Sequence, residues 1–364
     1  MTTINSNSTG LIETVDTSST LQLQTGNLAA ITVSSTQNVT LNSTGAFTMP
    51  VGNTAQRPGT ASIGMIRYNT TTSSVEYYNG STWSGLGLSP LQATGGTITT
   101  YASGSTTYKV HTFTTSGTFT VTSTGAAPTV SYLVVAGGAS GGFTSGGGAG
   151  GMLAGTATVS ATSYTITVGA GGAASVTSQP STGTNGSNSV FGAFATSIGG
   201  GAGGGGWTGG GNATGPSSGG SGGGGGAKYT PGGGSGTTGG ASGTAGQGNS
   251  GGSAAPATDQ VSQLCGGAGG GAGASGGNAN SSLPGAGGAG AASSITGTST
   301  FYAGGGAGSS FNGGAQSATG GVGGGGDSRL AGTVNTGGGG GGGTFNSPNS
   351  GGSGIVIIAY PISG

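Results

Sequence analysis

The groups able to carry chemistry are few and far apart. One histidine, His111, stands in the run Tyr108 to Phe113; five carboxylates, Glu13, Asp16, Glu76, Asp259 and Asp327, face five Lys or Arg; and there is one cysteine, Cys265, in 364 residues. Paired-carboxylate hydrolysis or general acid–base catalysis needs two such groups in one pocket, and no spacing here gathers the carboxylates. His111 alternates with Val110 and Thr112, which puts it with Lys109 and Phe113 on the other face of a strand and predicts a partly exposed structural histidine. A lone cysteine excludes an intrachain disulfide framework and a cysteine zinc site, so Cys265 reads as a small buried residue. The run Gly222 to Thr230, GGGGGAKYT, approaches a phosphate loop. Ala227, however, stands where the glycine before the lysine must be, and Tyr229 where the Mg²⁺ hydroxyl belongs. Matches to GxGxxG follow from glycine content alone, and none opens a helix after a strand, so dinucleotide binding is excluded. Asp327-Ser328-Arg329 reads as one surface ion pair or a polar contact point. The expectation is a non-enzymatic protein with no catalytic residue, no metal site and no cofactor.

Zero formal net charge, with only 3% charged residues, leaves no basic patch for phosphates, so nucleic acid is not an expected partner. It also removes the repulsion that keeps soluble monomers apart, which favours an assembled particle. No apolar run reaches 18 residues, so no membrane insertion is expected. The first residues, MTTINSNSTG, have neither a positive region nor an apolar core, and no signal peptide is expected from them.

The elements that must position any functional side chain are organised around glycine. Of 96 glycines most lie between Ala136 and Gly354, where the tract ends in the seven consecutive glycines Gly337 to Gly343. Composition alone permits a disordered linker. Against that, only Lys228, Asp259, Asp327 and Arg329 are charged in the stretch, and two apolar strands, Val130 to Ala136 and Ile355 to Tyr360, frame it. Pairing these two strands would tie both ends of the tract to one core. The ordered state open to such glycine is the polyproline II helix, with three residues per turn. No strict triplet is kept, so collagen is excluded. What remains is a bundle of short glycine helices bonded sideways, with glycine on every face inside and Ser, Thr, Ala or Asn facing outward.

Further strands are expected at Thr106 to Phe113, Gly117 to Ser123, Gly155 to Val159, Tyr164 to Val168 and Val190 to Ala195. With the two framing strands they make seven, enough for an antiparallel sandwich. Leu88 to Thr100 reads as a linker. Over 1–50, apolar pairs recur in Leu21 and Leu23, Ile31 and Val33, Val39 and Leu41, and Phe47 and Met49, one short strand per turn. A thin trimeric shaft would close a core from so few groups, and a small two-sheet domain is the alternative. The expected fold is all-β with polyglycine II helices: an N-terminal β shaft over 1–50, a small β-hairpin module over 51–90 and a glycine-rich domain over 91–364. That last domain has a β core over 104–195 plus the closing strand 355–360, and polyglycine II tracts at 137–151, 199–252, 266–291 and 304–343.

The module carries Pro50-Val51-Gly52, Ala55-Gln56-Arg57-Pro58, Gly64-Met65-Ile66-Arg67-Tyr68-Asn69, Glu76-Tyr77-Tyr78-Asn79-Gly80 and Trp83. This stretch of about 40 residues resembles a segment common in tail-fibre and other appendage proteins of bacteriophages. By residue type alone, Arg67 and Glu76 would face each other as a surface pair, with Tyr77, Tyr78 and Trp83 as a small core. Tyr132 to Gly138, Val168 to Gly172, Asn185-Gly186-Ser187 and Gly351 to Ile358 resemble the glycine-rich domains at the ends of phage fibres; extracellular domains of animal receptors share that architecture. The resemblance implies a homotrimeric fibre on the virion surface, outside the cell. Its N-terminal region would meet other virion proteins, and its glycine-rich end would bind a host surface protein or glycan. Aromatic residues in loops poor in other side chains suit such contacts, and the candidates are Trp207, Tyr229, Phe143 and Phe311. A purely structural appendage, whether head fibre, decoration protein or filament, is the alternative, in which those rings only pack.

Overall fold

The computed structural model describes residues 21–25, 28–33, 39–41, 46–86, 90–124, 128–174, 180–206, 213–228, 238–255, 264–311, 317–344 and 349–363. The chain divides into two compact units, Met1–Gly87 and Leu88–Gly364.

In the first unit, Leu21–Thr25, Leu28–Val33 and Val39–Leu41 form a three-stranded antiparallel sheet. Its register aligns Leu21 with Val33 and Val39, and Leu23 with Ile31 and Leu41, so the alternating pairs occupy matching rows. A four-stranded sheet follows, built from Val51–Gly52, Ile66–Asn69, Ser74–Tyr78 and Trp83–Gly85. Arg67 and Glu76 pair directly across it, but the expected surface pair is in fact buried, at 6% and 2% exposure. The turn Thr54–Gln56 and Arg57 fold over them. Arg57 donates to both Glu76 carboxylate oxygens, at 3.2 and 2.6 Å, and Asn69 Nδ2 donates to Oε2 at 2.9 Å. Arg67 spends two donors on the Gln56 and Asn53 carbonyls, at 2.6 and 3.1 Å. Burial of a carboxylate is tolerated only with such saturation. These bonds, the Arg57 one first, hold the Glu76 carboxyl below its ordinary range. Tyr78 and Trp83 pack beside this network, with ring centroids 5.6 Å apart.

Strand alternation then leaves apolar groups on the opposite face. Val51, Tyr68, Val75 and Leu86 follow one another across the strands, and Ile66 pairs with Tyr77 in the next row. Val51, Ile66 and Leu86 are 63%, 48% and 56% exposed. The module therefore hides its charges and presents its apolar face.

The second unit is a ten-stranded sandwich. We number its strands β1 (Gln92–Thr94), β2 (Thr97–Ser103), β3 (Thr106–Phe113), β4 (Gly117–Ser123), β5 (Thr129–Val135), β6 (Met152–Thr158), β7 (Ser163–Thr167), β8 (Ser189–Phe191), β9 (Ala195–Ser197) and β10 (Ile355–Ser363). One sheet has the order β6-β5-β10-β3-β2 and the other β9-β8-β7-β4-β1. The two framing strands do pair, with Ser131 opposite Ala359 through Val135 opposite Ile355. Both read as continuous apolar runs because both of their faces are covered. Val130, Val134, Val356, Ile358 and Tyr360 meet Phe119, Ile166 and Phe191 of the other sheet. Leu133, Val135, Ile355 and Ile357 meet Ala149, Tyr302 and Ala303 from the glycine tract.

Three expectations change here. The supposed linker over Leu88 to Thr100 contains β1 and most of β2, joined by Gly95 and Gly96 with φ of 111° and 63°; Ser, Thr and Gly hide strands that only pairing to β3 and β4 defines. The single strand expected at Val190 to Ala195 is a hairpin, β8 to β9, bent at Gly192 with φ 48°. His111 is fully buried, its ring between Phe119 and Tyr360. Nδ1 donates to the Gly95 carbonyl at 2.7 Å, and Nε2 lies 3.1 Å from the Tyr360 hydroxyl. Alternation placed His111 on the correct face, but that face is the core.

Between β5 and β10 the glycine tract forms helices bonded sideways with a period of three. Successive N–H groups of Gly146 to Gly151 donate to Gly267, Gly340, Gly201, Gly270, Gly337 and Ile198. Residues three apart thus share a partner helix, as three residues per turn require. A Cβ on Gly146, Gly147 or Gly148 would collide with the carbonyl of Gly306, Ala139 or Ser221 in turn, so three consecutive faces admit glycine only. Segments 181–188 and 349–354, outside the expected polyglycine tracts, belong to the same lattice, through Ser140 to Thr184 and Gly351 to Gly172.

Two outcomes test this fold. Gly147→Ala should lower stability by about 1–3 kcal/mol, while Gly215→Ala, where a Cβ meets nothing within 4 Å, should change it by less than about 0.5 kcal/mol, both read by thermal unfolding. Burial pushes His111 below its ordinary value. The folded imidazole is then harder to protonate than the unfolded one, so stability is full above the unfolded value of about 6.5 and falls as pH drops below it. The thermal midpoint should fall between pH 7.5 and 5, and His111→Gln should flatten that slope.

Candidate functional site

The glycine helices run alternately away from and back towards the sandwich, and this brings many chain crossings to one end. From β5 the chain continues as Ala136 to Phe143, turns at Phe143-Thr144-Ser145 and returns to Gly151 beside β6. The Ala139 N–H bonds to Gly148 and that of Gly142 to Ser145, each at 2.9 Å, closing a hairpin of two glycine helices. At ~3.1 Å rise per residue the turn stands roughly 25 Å beyond the end of β5. Thr144 adopts φ 69° there.

Other helices are in register with this hairpin. Gly200, Gly203 and Gly206 donate to Gly137, Ser140 and Phe143, so this helix runs parallel to the outgoing arm and ends level with Phe143. Phe143 itself donates to Ser181, Thr144 to Gly343, and Ser309 to the Thr144 carbonyl, at 2.9, 2.8 and 2.6 Å. The Ala227 N–H reaches Thr144 Oγ1 at 3.4 Å, and the Ser145 hydroxyl donates to the Gly204 carbonyl. Thr144 and Ser145 are both fully buried. The described residues Ser181, Gly206, Ala227, Ser309 and Gly343, from five separate parts of the tract, therefore converge on one turn.

Beneath this end lies an aromatic plug. Phe143 is fully buried and its ring centroid is 5.3 Å from that of Phe311. Phe311, half-buried, packs on Ala227, Ala254 and Leu264, and the pairing of Leu264–Cys265 with Ser310–Phe311 holds it. Of the four candidate contact residues, these two are thus brought together, with Phe143 as support and Phe311 nearer the surface. Trp207 and Tyr229 lie outside the described residues; they follow Gly206 and Lys228. Phe345 lies outside them too. Phe301 is 48% exposed on a hairpin at the opposite, sheet-proximal end. Sequence reasoning passed over Thr144 and Ser145, although the interruption FTS between two glycine runs marks the turn.

The remaining polar groups serve the lattice. Asp327 Oδ1 accepts from the Gly320 N–H at 2.7 Å and Arg329 Nη2 donates to the Ser310 carbonyl at 2.9 Å, so of the two readings, ion pair or polar contact point, these two side chains make polar contacts, each to a backbone group. Cys265 is buried, and burial pushes its thiol up to about 11, which leaves it protonated and unreactive at neutral pH. Among the described residues no three His, Cys, Asp or Glu are grouped to hold a metal ion. None of their helices is long and apolar enough to cross a membrane.

A family model described as a glycine-rich domain matches residues 114–361. The matched span takes in β4 through most of β10 with every glycine helix between, and leaves out β1 to β3. No curated protein is significantly similar to the chain.

Proposed function

We propose that this chain, which belongs to the glycine-rich domain family through residues 114–361, is a non-enzymatic phage fibre protein whose glycine-rich domain binds a host-cell surface protein or glycan with its distal end. The observation that supports this reading is the convergence of Ser181, Gly206, Ala227, Ser309 and Gly343 on the Phe143-Thr144-Ser145 turn. A lattice that rejects side chains on its interior faces leaves its connections as the places where side chains are free to vary. Loops held at the end of a rigid scaffold are where recognition concentrates. In this reading Trp207 and Tyr229 supply contact rings, Phe311 adds another, and Phe143 supports Phe311 from beneath.

The first unit would attach to other virion proteins and assemble the fibre as a homotrimer on the virion surface, outside the cell. Support comes from the resemblance of Pro50 to Trp83 to phage appendage segments and from the exposed apolar face of that module. Contiguous exposed apolar groups mark interaction surfaces, and three copies around an axis would cover them.

Light scattering and cell-binding measurements on one purified preparation test both halves. A compact trimer that binds host cells, and loses at least tenfold in affinity on Trp207→Ala or Tyr229→Ala with its unfolding temperature unchanged, is the expected result; tenfold corresponds to about 1.4 kcal/mol. A polymer of indefinite length that ignores cells would leave a structural appendage instead. Ile66→Asp with Tyr77→Asp should reduce the trimer to monomers while the glycine-rich domain keeps its thermal transition.

A further inference from the structure

Far from the distal end, two shallow depressions of about 350 and 300 Å³ meet at Ala154 on the edge strand β6. Their shared far bank is the hairpin of Ala291–Ser293 and Thr300–Tyr302. The first is bordered by Met152, Gln247, Asn249 and Ala272. The second is bordered by Tyr101, Tyr108, Ser131, Ser294 and Ile295. Each stands near the lower end of the ~300–1,000 Å³ of ligand clefts, and joined they fall within that range.

The chemistry of the second depression is distinctive in a chain with so few large side chains. Tyr101 and Tyr108 are directly opposite each other on β2 and β3. Their rings stack at 5.1 Å and 8°, and both remain half-exposed. The hairpin turn backs Tyr101: Gly297 has φ 85°, and a Cβ there would lie 2.6 Å from Tyr101 Cγ. Burial and the neighbouring Tyr108 push Tyr101 above its ordinary value, so its phenol is a neutral hydroxyl at physiological pH. Around this aromatic wall stand the hydroxyls of Ser131, Ser293 and Ser294; along the furrow the Gln247 and Asn249 amides are tied to lattice backbone, Gln247 Oε1 accepting from the Ile198 N–H at 2.8 Å and Asn249 Nδ2 donating to the Gly271 and Ala272 carbonyls. No lining residue of either depression is charged.

We propose that this furrow is a binding site for a neutral oligosaccharide, separate from the distal contact surface. A pyranose presents a C–H face that packs on an aromatic wall and a rim of hydroxyls that exchange bonds with serine and tyrosine hydroxyls. An open furrow two depressions long accommodates a chain of sugars rather than one enclosed ring. Lack of charge selects neutral sugars over uronic or sialic acids, which would be desolvated without a partner. The site sits on β2, β3 and β6, rigid elements of the sandwich, so it requires no closure.

The test uses the full chain, with maltohexaose, cellohexaose and laminarihexaose as neutral probes and polygalacturonic acid as the charged one, followed by calorimetry and saturation-transfer NMR. At least one neutral probe should bind with a Kd of about 1 mM or tighter. Tyr108→Ala should weaken it at least tenfold, and Trp207→Ala should leave it unchanged, which separates this site from the distal one. Should Tyr108→Ala lower the unfolding temperature, Ala154→Trp, at an exposed position midway along the furrow, provides the block instead and should abolish binding. Binding by the acidic polymer alone, binding of no neutral probe, or full affinity in the blocked variants would overturn the proposal.

Discussion

Sideways backbone hydrogen bonding between glycine helices is the constraint on which the second unit depends. A polyproline II helix makes no bonds of its own, so every buried N–H must find a carbonyl on another segment. A net gain of about 0.5–1.5 kcal/mol per bond only matches the ~1–2 kcal/mol lost in ordering each residue's backbone, and glycine loses more than other residues. The lattice therefore holds as a cooperative whole or not at all. Gly146 to Gly151 illustrate this, since the N–H groups of six consecutive residues draw on three separate helices. The short bonds in turn demand close approach, and close approach removes room for a Cβ. Composition and architecture are one requirement seen from two sides.

Such a lattice needs a template, and the sandwich supplies it. β5 and β10 enter and leave the tract side by side at the centre of one sheet. Their outward residues Leu133, Val135, Ile355 and Ile357 form an apolar floor under Ala149, Tyr302 and Ala303. Hydrophobic burial, at about 25 cal/mol per Å², is thus concentrated where the first glycine helices start, and their direction is set there. β3 and β2 extend the same sheet beyond the span matched by the family model. The aromatic furrow is built on this extension.

Scarce charges are used structurally. Glu76 is saturated by Arg57, Arg67 and Asn69 inside the module, and Asp327 and Arg329 bond backbone groups of the glycine lattice. The consequence for function is that both proposed binding surfaces, the distal end and the furrow, rely on rings and hydroxyls.

Much of this was legible in the chain itself. Glycine runs framed by Val130 to Ala136 and Ile355 to Tyr360 implied ordered polyglycine II helices tied to a paired core, because a strand that is apolar at every position must be covered on both faces, and only glycine tolerates backbone packed on backbone. Period-two alternation located β3 and β4 to the residue. What only the tertiary structure decided were matters of which face meets what. His111 and the Arg67–Glu76 pair were placed on the correct strand faces, yet those faces turned out to be interior, since burial depends on partners as distant in sequence as Tyr360 and as unremarkable as Asn53. β1 and β2 were hidden in Ser, Thr and Gly that carry no strong pattern until β3 and β4 pair with them. The convergence of Gly206, Ala227, Ser309 and Gly343 on the turn at Thr144 follows from the parallel and antiparallel registers of many helices at once, and no local run of glycine encodes its own neighbours.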